Sequence, residues 1–181
     1  TAIASHQIAF NIWDLFYIPM LALGTAMSTR IGHAIGAGWR EGIYRAMIVG
    51  GAISALVAAG TTLLLLTFPG SIISIYTDAE DIQVLATRLL TLSAFFILID
   101  GAQIVGSFIL RAFKETRFPF IMMVVSYWLV ALPLGWWLGI VLPDNPNDGA
   151  AGFWYATITG ISVCTVLIAA RIWVILGRAL P

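Results

Sequence analysis

Charged residues are scarce in this sequence. Asp, Glu, Lys and Arg make up 10% of its 181 residues, whereas hydrophobic residues make up 60%. Soluble domains carry about 25% charged residues, so the composition excludes an ordinary soluble protein and indicates one that lies in a membrane. The formal net charge is +0, which leaves no basic excess for binding nucleic acid.

The usual signatures of an enzyme are also missing. The one cysteine, Cys164, allows no internal disulfide, and His6 and His33 are too far apart to begin a metal site with it. The sequence contains no nucleophile–base motif. The glycines of GHAIGAG follow an apolar helix rather than a strand, so they lack the context of a dinucleotide loop. We therefore predict a protein that is not an enzyme and has no cofactor.

Five long apolar runs dominate the sequence instead. About 20 apolar residues are enough for a helix to cross a bilayer, and the alternating segments of about 10 residues that mark a barrel do not occur. The predicted fold class is an all-α integral membrane protein in which residues 1–181 form a single domain. The predicted spans are 3–29, 43–68, 82–110, 118–142 and 150–176.

Basic and acidic connections alternate along the chain. Basic residues cluster between the first and second spans, between the third and fourth, and at the end of the fifth, whereas the connections TDAED and PDNPNDG are acidic. Cytoplasmic loops carry the Lys and Arg excess, which predicts a cytoplasmic C-terminus and an external start. An external start with five spans suggests a further span before Thr1. Arg88 is the exception and is expected to reach the outer interface, where Trp154 and Tyr155 are expected in an aromatic belt.

Asp100 stands near the middle of the apolar run 89–110. A charge at the centre of a span costs on the order of 3 kcal/mol on insertion scales, so such a residue normally faces a cavity or a partner. The alternative is a structural Asp that is protonated or bonded to a neighbouring helix. A carboxylate in a cavity can bind a proton, a Na⁺ ion or an organic cation, each excluding the others, and that exclusion is the basis of antiport.

Polar residues share one helix face in three of the spans, since spacings of three, four and seven residues return to the same side of a helix. Three such stripes can line one cavity. The alternative is hydrogen bonding between helices, which contributes about 0.6 kcal/mol per contact in lipid. The stripes are Gln7, Asn11 and Asp14 in the first span; Ser93, Asp100, Gln103 and Ser107, with Phe96, in the third; and Tyr155, Thr159 and Ser162 in the fifth.

Four stretches resemble the multidrug and toxic compound extrusion (MATE) family, close to its NorM-like bacterial branch. The second helix of that family's C-terminal half and the loop after it resemble AIASHQIAFNIWDLFYIPMLALGTAMSTRIGHAIGAG. The fourth helix resembles FFILIDGAQIVGSFILRAFKETRFP, and the fifth and sixth resemble SYWLVALPLGWWLG and GAAGFWYATITGISV. The resemblance implies spans eight to twelve of a twelve-helix transporter with two lobes around a central cavity, so that residues 1–181 are a partial C-terminal lobe.

The resemblance also implies a function. The family exports cationic lipophilic drugs across the cytoplasmic (inner) membrane by alternating access, in exchange for Na⁺ or H⁺. Asp100 matches its cation-binding carboxylate, and would be the residue that holds Na⁺. Gln103 is expected to orient that carboxylate or hydrate the ion, and Phe96 stands where a Tyr is common and keeps a ring for a cation–π contact. Asp14 stands where the family more often has a small polar residue.

The remaining polar candidates, Gln7, Asn11, Tyr155, Thr159 and Ser162, are expected to line the substrate cavity with Asp14. The expected partners are small cationic organic substrates, membrane lipids, the preceding helix with a further acidic residue, and the N-terminal half of the same transporter. Two other functions stay open. A flippase of lipid-linked precursors would need a more cationic cavity than these spans provide. A non-transporting structural subunit would use Asp100 for stability or association only.

Overall fold

The described part of the computed structural model, residues 2–144 and 146–179, forms six helices. Five of them are long and apolar enough to cross a membrane, which confirms the predicted class of an all-α membrane protein. The predicted spans coincide with every helix except the five-residue α3. The helices are α1 (Ala2–Gly36), α2 (Arg40–Thr67), α3 (Pro69–Ile73), α4 (Glu80–Ala112), α5 (Arg117–Val141) and α6 (Pro146–Ala179).

Helix α4 is the centre of the bundle and packs against α1, α2 and α6. Apolar residues occur on every side of it, as expected of a helix that packs against several others, and one face also carries the polar stripe of the third predicted span. On one side Leu89 packs with Ala9 of α1 and Ile161 of α6. On another side Leu90 packs with Ile12 of α1 and Leu65 of α2. A polar side chain in the middle of α4 is therefore buried unless a cavity reaches it.

Helix α5 alternates between two kinds of helical turn. The α-helical segments Arg117–Val125 and Leu132–Trp136 are each followed by a π-helical segment, Ser126–Ala131 and Trp137–Val141. Pro133 has no backbone N–H, so a regular α-helical ladder cannot continue past it. Wider turns re-form hydrogen bonds around such a break.

Helices α5 and α6 approach each other at glycine. A Cβ atom at Gly152 would collide with the backbone carbonyl of Leu138, and one at Gly160 would lie 2.8 Å from the Cβ of Ala131. Small residues at such points let two helix backbones come close, which is how helices associate in a bilayer. This contact holds α5 beside residues 152–160 of α6.

Ion pairs join the helices at both ends of the bundle. At the acidic end Arg88 of α4 lies 2.7 Å from Asp148 of α6, so Arg88 has a protein partner rather than only reaching the interface. At the basic end Arg171 of α6 pairs with Glu115, which follows α4. Since Ser5 also donates to the carbonyl of Ile82, helices α1, α4 and α6 all begin at the acidic end.

Candidate functional site: a buried carboxyl beside an aromatic cage

Asp100 lies in the middle of α4 with 7% of its surface exposed. The indole N–H of Trp13 on α1 donates towards its carboxyl, and Tyr127 of α5 and Cys164 of α6 lie near enough to interact with its charge. Among the described side chains no Lys, Arg or His forms an ion pair with Asp100. A buried carboxylate without a cationic partner is costly, so this group is stable when it carries a proton or a bound cation.

Gln103 lies three residues after Asp100 and is also buried. Its amide nitrogen donates to the hydroxyl of Ser107 over 3.1 Å and approaches the sulfur of Cys164 at 4.0 Å. These contacts hold the amide between α4 and α6. The third-span stripe predicted from the sequence thus lies on the buried side of α4, where Asp100 faces Trp13 of α1 and Gln103 faces Cys164 of α6.

Five aromatic side chains beside Asp100 form a closed cycle, which we call the aromatic cage. Going round it, the ring centroids are separated by 6.1, 5.0, 5.9, 6.0 and 5.8 Å, and the rings are tilted or edge-on to their neighbours. These are the separations and orientations that aromatic pairs favour. The cycle runs His6, Phe10, Trp13, Phe96, Trp154 and back to His6.

The cage lines a cavity of about 230 Å³. Phe96 and Trp154 are almost fully buried and form its inner side, whereas Phe10 and Phe153 are 44% and 46% exposed and lie at its mouth. Tyr127 and Thr157 complete the lining. The cavity therefore opens to the outside of the five-helix bundle on one side, and on the other is separated from Asp100 by the indole of Trp13.

The Trp154 indole nitrogen is buried and has no hydrogen-bond partner within the described residues. Buried indole N–H groups usually find an acceptor. Trp154 is therefore held in place by contacts of its ring with Phe96 and His6. Its contribution to the cage comes from the ring, and Phe in its place would keep most of that contribution.

The polar stripe of α1 lies on a different side from the cage. Gln7, Asn11 and Asp14 are all exposed, and the Asn11 amide donates to the carbonyl of Gln7 in its own helix. Asp14 follows Trp13 directly, so its side chain leaves the helix about 100° away from the indole. Asp14 is therefore next in sequence to the residue that contacts Asp100, but its own side chain lies on the outer face of the bundle.

The stripe of α6 is also turned outward. Tyr155 and Thr159 are exposed, and Ser162 is half-buried. The hydroxyls of Thr159 and Ser162 donate to carbonyls of their own helix, at 2.8 and 2.7 Å. None of these residues lines the cage cavity. Within the described residues, then, the three predicted stripes do not meet in one cavity: that of α4 points inward, and those of α1 and α6 point outward.

Sequence reasoning missed four of the five cage residues. A signal was present, because His6, Phe10 and Trp13 have the same spacing of four and seven residues as the polar stripe one position later. Trp154 was expected in the interfacial belt but is 6% exposed and packs inside the cage. As for metals, no group of three or more His, Cys, Asp or Glu side chains occurs in the described part, so a Na⁺ ion at Asp100 would need other oxygen ligands.

The comparisons with known proteins agree on one family. The family model MatE matches residues 1–137. The multidrug resistance protein MdtK of Proteus mirabilis (strain HI4320) is 34% identical over 173 residues, which cover 96% of this chain and 38% of that protein. MdtK of Yersinia pestis (strain Pestoides F) is 33% identical over 171 residues, 94% of this chain and 37% of that protein.

A solved structure supports the fold alone. The crystal structure of the eukaryotic MATE transporter AtDTX14 matches with a TM-score of 0.78 and 19% identity, over 95% of this chain and 38% of that one. The five long apolar helices define an integral membrane protein of this all-α fold. The chain belongs to the MATE family. It spans 38% of the length of the Proteus relative.

Proposed function

We propose that residues 1–181 form the C-terminal lobe of a longer antiporter that exports cationic lipophilic drugs by alternating access, in exchange for Na⁺ or H⁺. The observation that carries the proposal is Asp100, a carboxyl 7% exposed in the central helix with no basic partner among the described side chains. Burying such a group is costly, and a protein that needed only packing would have an apolar residue there.

Asp100 is the proposed binding group for the coupling ion. When Na⁺ or H⁺ occupies it, its negative charge is neutralised and it no longer attracts an organic cation. When it is empty, an organic cation nearby is stabilised by its charge. Gln103 is proposed to position the carboxyl or hydrate the ion, and Phe96, one turn before Asp100, offers a ring face to a cation.

The outward polar stripes are proposed to face the remainder of the transporter. A carboxylate exposed to lipid at this depth would cost several kcal/mol, so Asp14 is expected to face protein or water in the complete molecule. We propose that Gln7, Asn11, Asp14, Tyr155, Thr159 and Ser162 line the central cavity there. The other partners are the N-terminal half with the preceding helix, and lipids around α2.

The proposed location is the cytoplasmic membrane, with the basic end of the bundle in the cytoplasm. Eight of the nine Lys and Arg residues lie at or near that end, and Arg88 is the exception. Short cytoplasmic loops carry such an excess. The C-terminus of the chain is then cytoplasmic and its start external.

The test is transport by the longer protein in proteoliposomes with an imposed Na⁺ or pH gradient, using ethidium as substrate. The expected result is ethidium movement driven by one of the two gradients. Asp100→Asn should abolish this movement. Gly177→Ala is the control and should retain it, because a Cβ atom at Gly177 meets only open space. A structural subunit would move no ethidium in any form. A flippase would move a fluorescent phospholipid instead.

A further inference from the structure

We propose that the aromatic cage binds the charged head of the organic cation, at a place distinct from the carboxyl that binds the coupling ion. This inference rests on the proposed function and assigns the substrate a specific site. The ligand class is an alkylated ammonium or a small cationic ring, recognised by ring faces rather than by a direct ion pair.

The closed cycle of rings is what distinguishes this site from an ordinary apolar cluster. In an ordinary core aromatic rings pack in isolated pairs, whereas here each of the five rings contacts two others of the cycle and all five line one cavity. The Phe and Trp rings of the cage carry negative charge density on their faces. Rings that line one space can present such faces to a cation that lacks hydrogen-bond donors, which is how proteins recognise quaternary ammonium groups.

The size of the cavity limits what it can hold. Sites that enclose a whole drug-sized ligand measure roughly 300–1,000 Å³, whereas this cavity measures about 230 Å³. It fits one head group, and the rest of the ligand would extend past Phe10 and Phe153 at the mouth. Beyond the mouth lies the exposed surface of α1 and α6. The cage would therefore select for the head group and tolerate variety in the remainder of the molecule.

Trp13 connects the cage to Asp100. Its ring packs on Phe96 within the cage at 5.9 Å, and its N–H is directed at the carboxyl. Asp100 is thus separated from a cation in the cage by one indole. A coupling ion on Asp100 removes the negative charge of its carboxylate. Drug and ion can then exclude each other without sharing an atom, because the charge of one carboxyl serves both sites.

A pair of isosteric probes tests the cage directly. The cation trimethylanilinium and the neutral tert-butylbenzene have the same shape, and their equilibrium binding to the detergent-solubilised longer transporter separates charge recognition from hydrophobic fit. The expected result is binding of the cation about tenfold tighter than that of the neutral probe. Equal affinities would overturn the proposal, as would a wild-type protein that binds neither because its own chain fills the cavity.

Matched variants locate the binding. Phe96→Leu keeps apolar bulk but removes a ring, and should weaken trimethylanilinium binding about tenfold. Trp154→Phe keeps the ring and should stay within about threefold, since the N–H has no partner to lose. Trp173→Leu, at an 81% exposed aromatic on α6, is the control and should bind as the wild type does. Binding is compared only between variants with wild-type thermal unfolding in detergent. If Phe96→Leu unfolds early, Phe10→Leu, which removes a 44% exposed ring of the cage, replaces it with the same expected loss of binding.

The outcomes for the cage and for antiport are separable. If Phe96→Leu binds the cation as tightly as wild type while Asp100→Asn still abolishes gradient-driven transport, the cage proposal is wrong and the proposed function stands. If no ion gradient drives transport by the wild type, the proposed function is wrong, and cation binding sensitive to Phe96 would then describe a receptor site rather than a transport site.

Discussion

The indole of Trp13 stands between Phe96 and Asp100, packing on the ring of one and directing its N–H at the carboxyl of the other. Helix α1 supplies Trp13 and helix α4 supplies both partners, four residues apart on one face. A change in the charge of Asp100 therefore changes the strength of its hydrogen bond with the Trp13 N–H directly. Since Trp13 is also part of the aromatic cage, this contact is the proposed physical link between ion binding and drug binding.

Replacing Trp13 with Phe should tighten binding of the coupling ion. The N–H competes with the ion for the carboxylate, and hydrogen bonds to charged groups contribute about 1.5–3 kcal/mol, so affinity is expected to rise about tenfold. The Phe ring keeps the cage closed, so affinity for trimethylanilinium should change little. Calorimetric titration with Na⁺, or titration of proton uptake, measures the first effect. Weaker ion binding would show that the indole helps hold the ion instead of competing with it.

Replacing Gln103 with Leu should weaken ion binding less than Asp100→Asn does. The Gln103 amide nitrogen is already committed to Ser107, so its role is to hold position, and losing one such hydrogen bond costs about 1 kcal/mol. The same titration, with Ser107→Ala as the matched control, checks this. If Gln103→Leu abolishes ion binding altogether, the Gln103 carbonyl is a direct ligand.

The two ion pairs should differ in their effect on stability. Arg171–Glu115 is the less exposed, with side chains 30% and 32% accessible against 50% and 47% for Arg88–Asp148. Arg171 also lies over the ring of Phe118 at 5.2 Å. Exposed pairs contribute about 0–1 kcal/mol, so Arg171→Gln should lower the unfolding temperature more than Arg88→Gln. The reverse order would mean that the acidic end of the bundle limits stability.

Substituting Gly152 with Val should separate α5 from α6. The new side chain would meet the backbone carbonyl of Leu138, which cannot rotate away as a side chain can, and overpacking typically costs about 1–3 kcal/mol. Gly51→Val is the control, because nothing lies within 4 Å of a Cβ atom there. Unfolding temperatures in detergent compare the two. Equal values would mean that the contact between α5 and α6 adjusts freely.

The sequence predicts the helices well because membrane crossing imposes a simple rule. Long apolar runs must be helices, so the spans and the burial of Asp100 in α4 follow from hydrophobicity alone. The five-residue α3 was missed because its sequence, PGSII, continues the turn after α2 without a change of hydrophobicity. The π-helical turns around Pro133 depend on how backbone bonds re-form, which residue types do not determine.

The aromatic cage was not predicted, because polarity does not show which face of a membrane helix packs against its own bundle. In α1 the buried and cage faces carry Ala9, Ile12 and Trp13, whereas the polar stripe points outward. Lipid is as apolar as a protein core, so no hydrophobic difference separates the two faces. The encounter of Trp154 with Phe96 joins residues 58 positions apart, and no local pattern in either helix indicates it.

The central claim is that the charge of Asp100 couples ion binding to drug binding. The most direct measurement is the affinity of the longer transporter for trimethylanilinium, determined over a range of Na⁺ concentrations and of pH, in wild type, Asp100→Asn and Asp14→Asn. All three proteins also carry His6→Phe, so that protonation of a cage ring cannot itself repel the cation. We predict that raising Na⁺ or lowering pH weakens drug binding in the wild type and in Asp14→Asn, whereas Asp100→Asn binds weakly and equally under all conditions. An Asp100→Asn protein with the wild-type dependence on Na⁺ or pH would contradict the account.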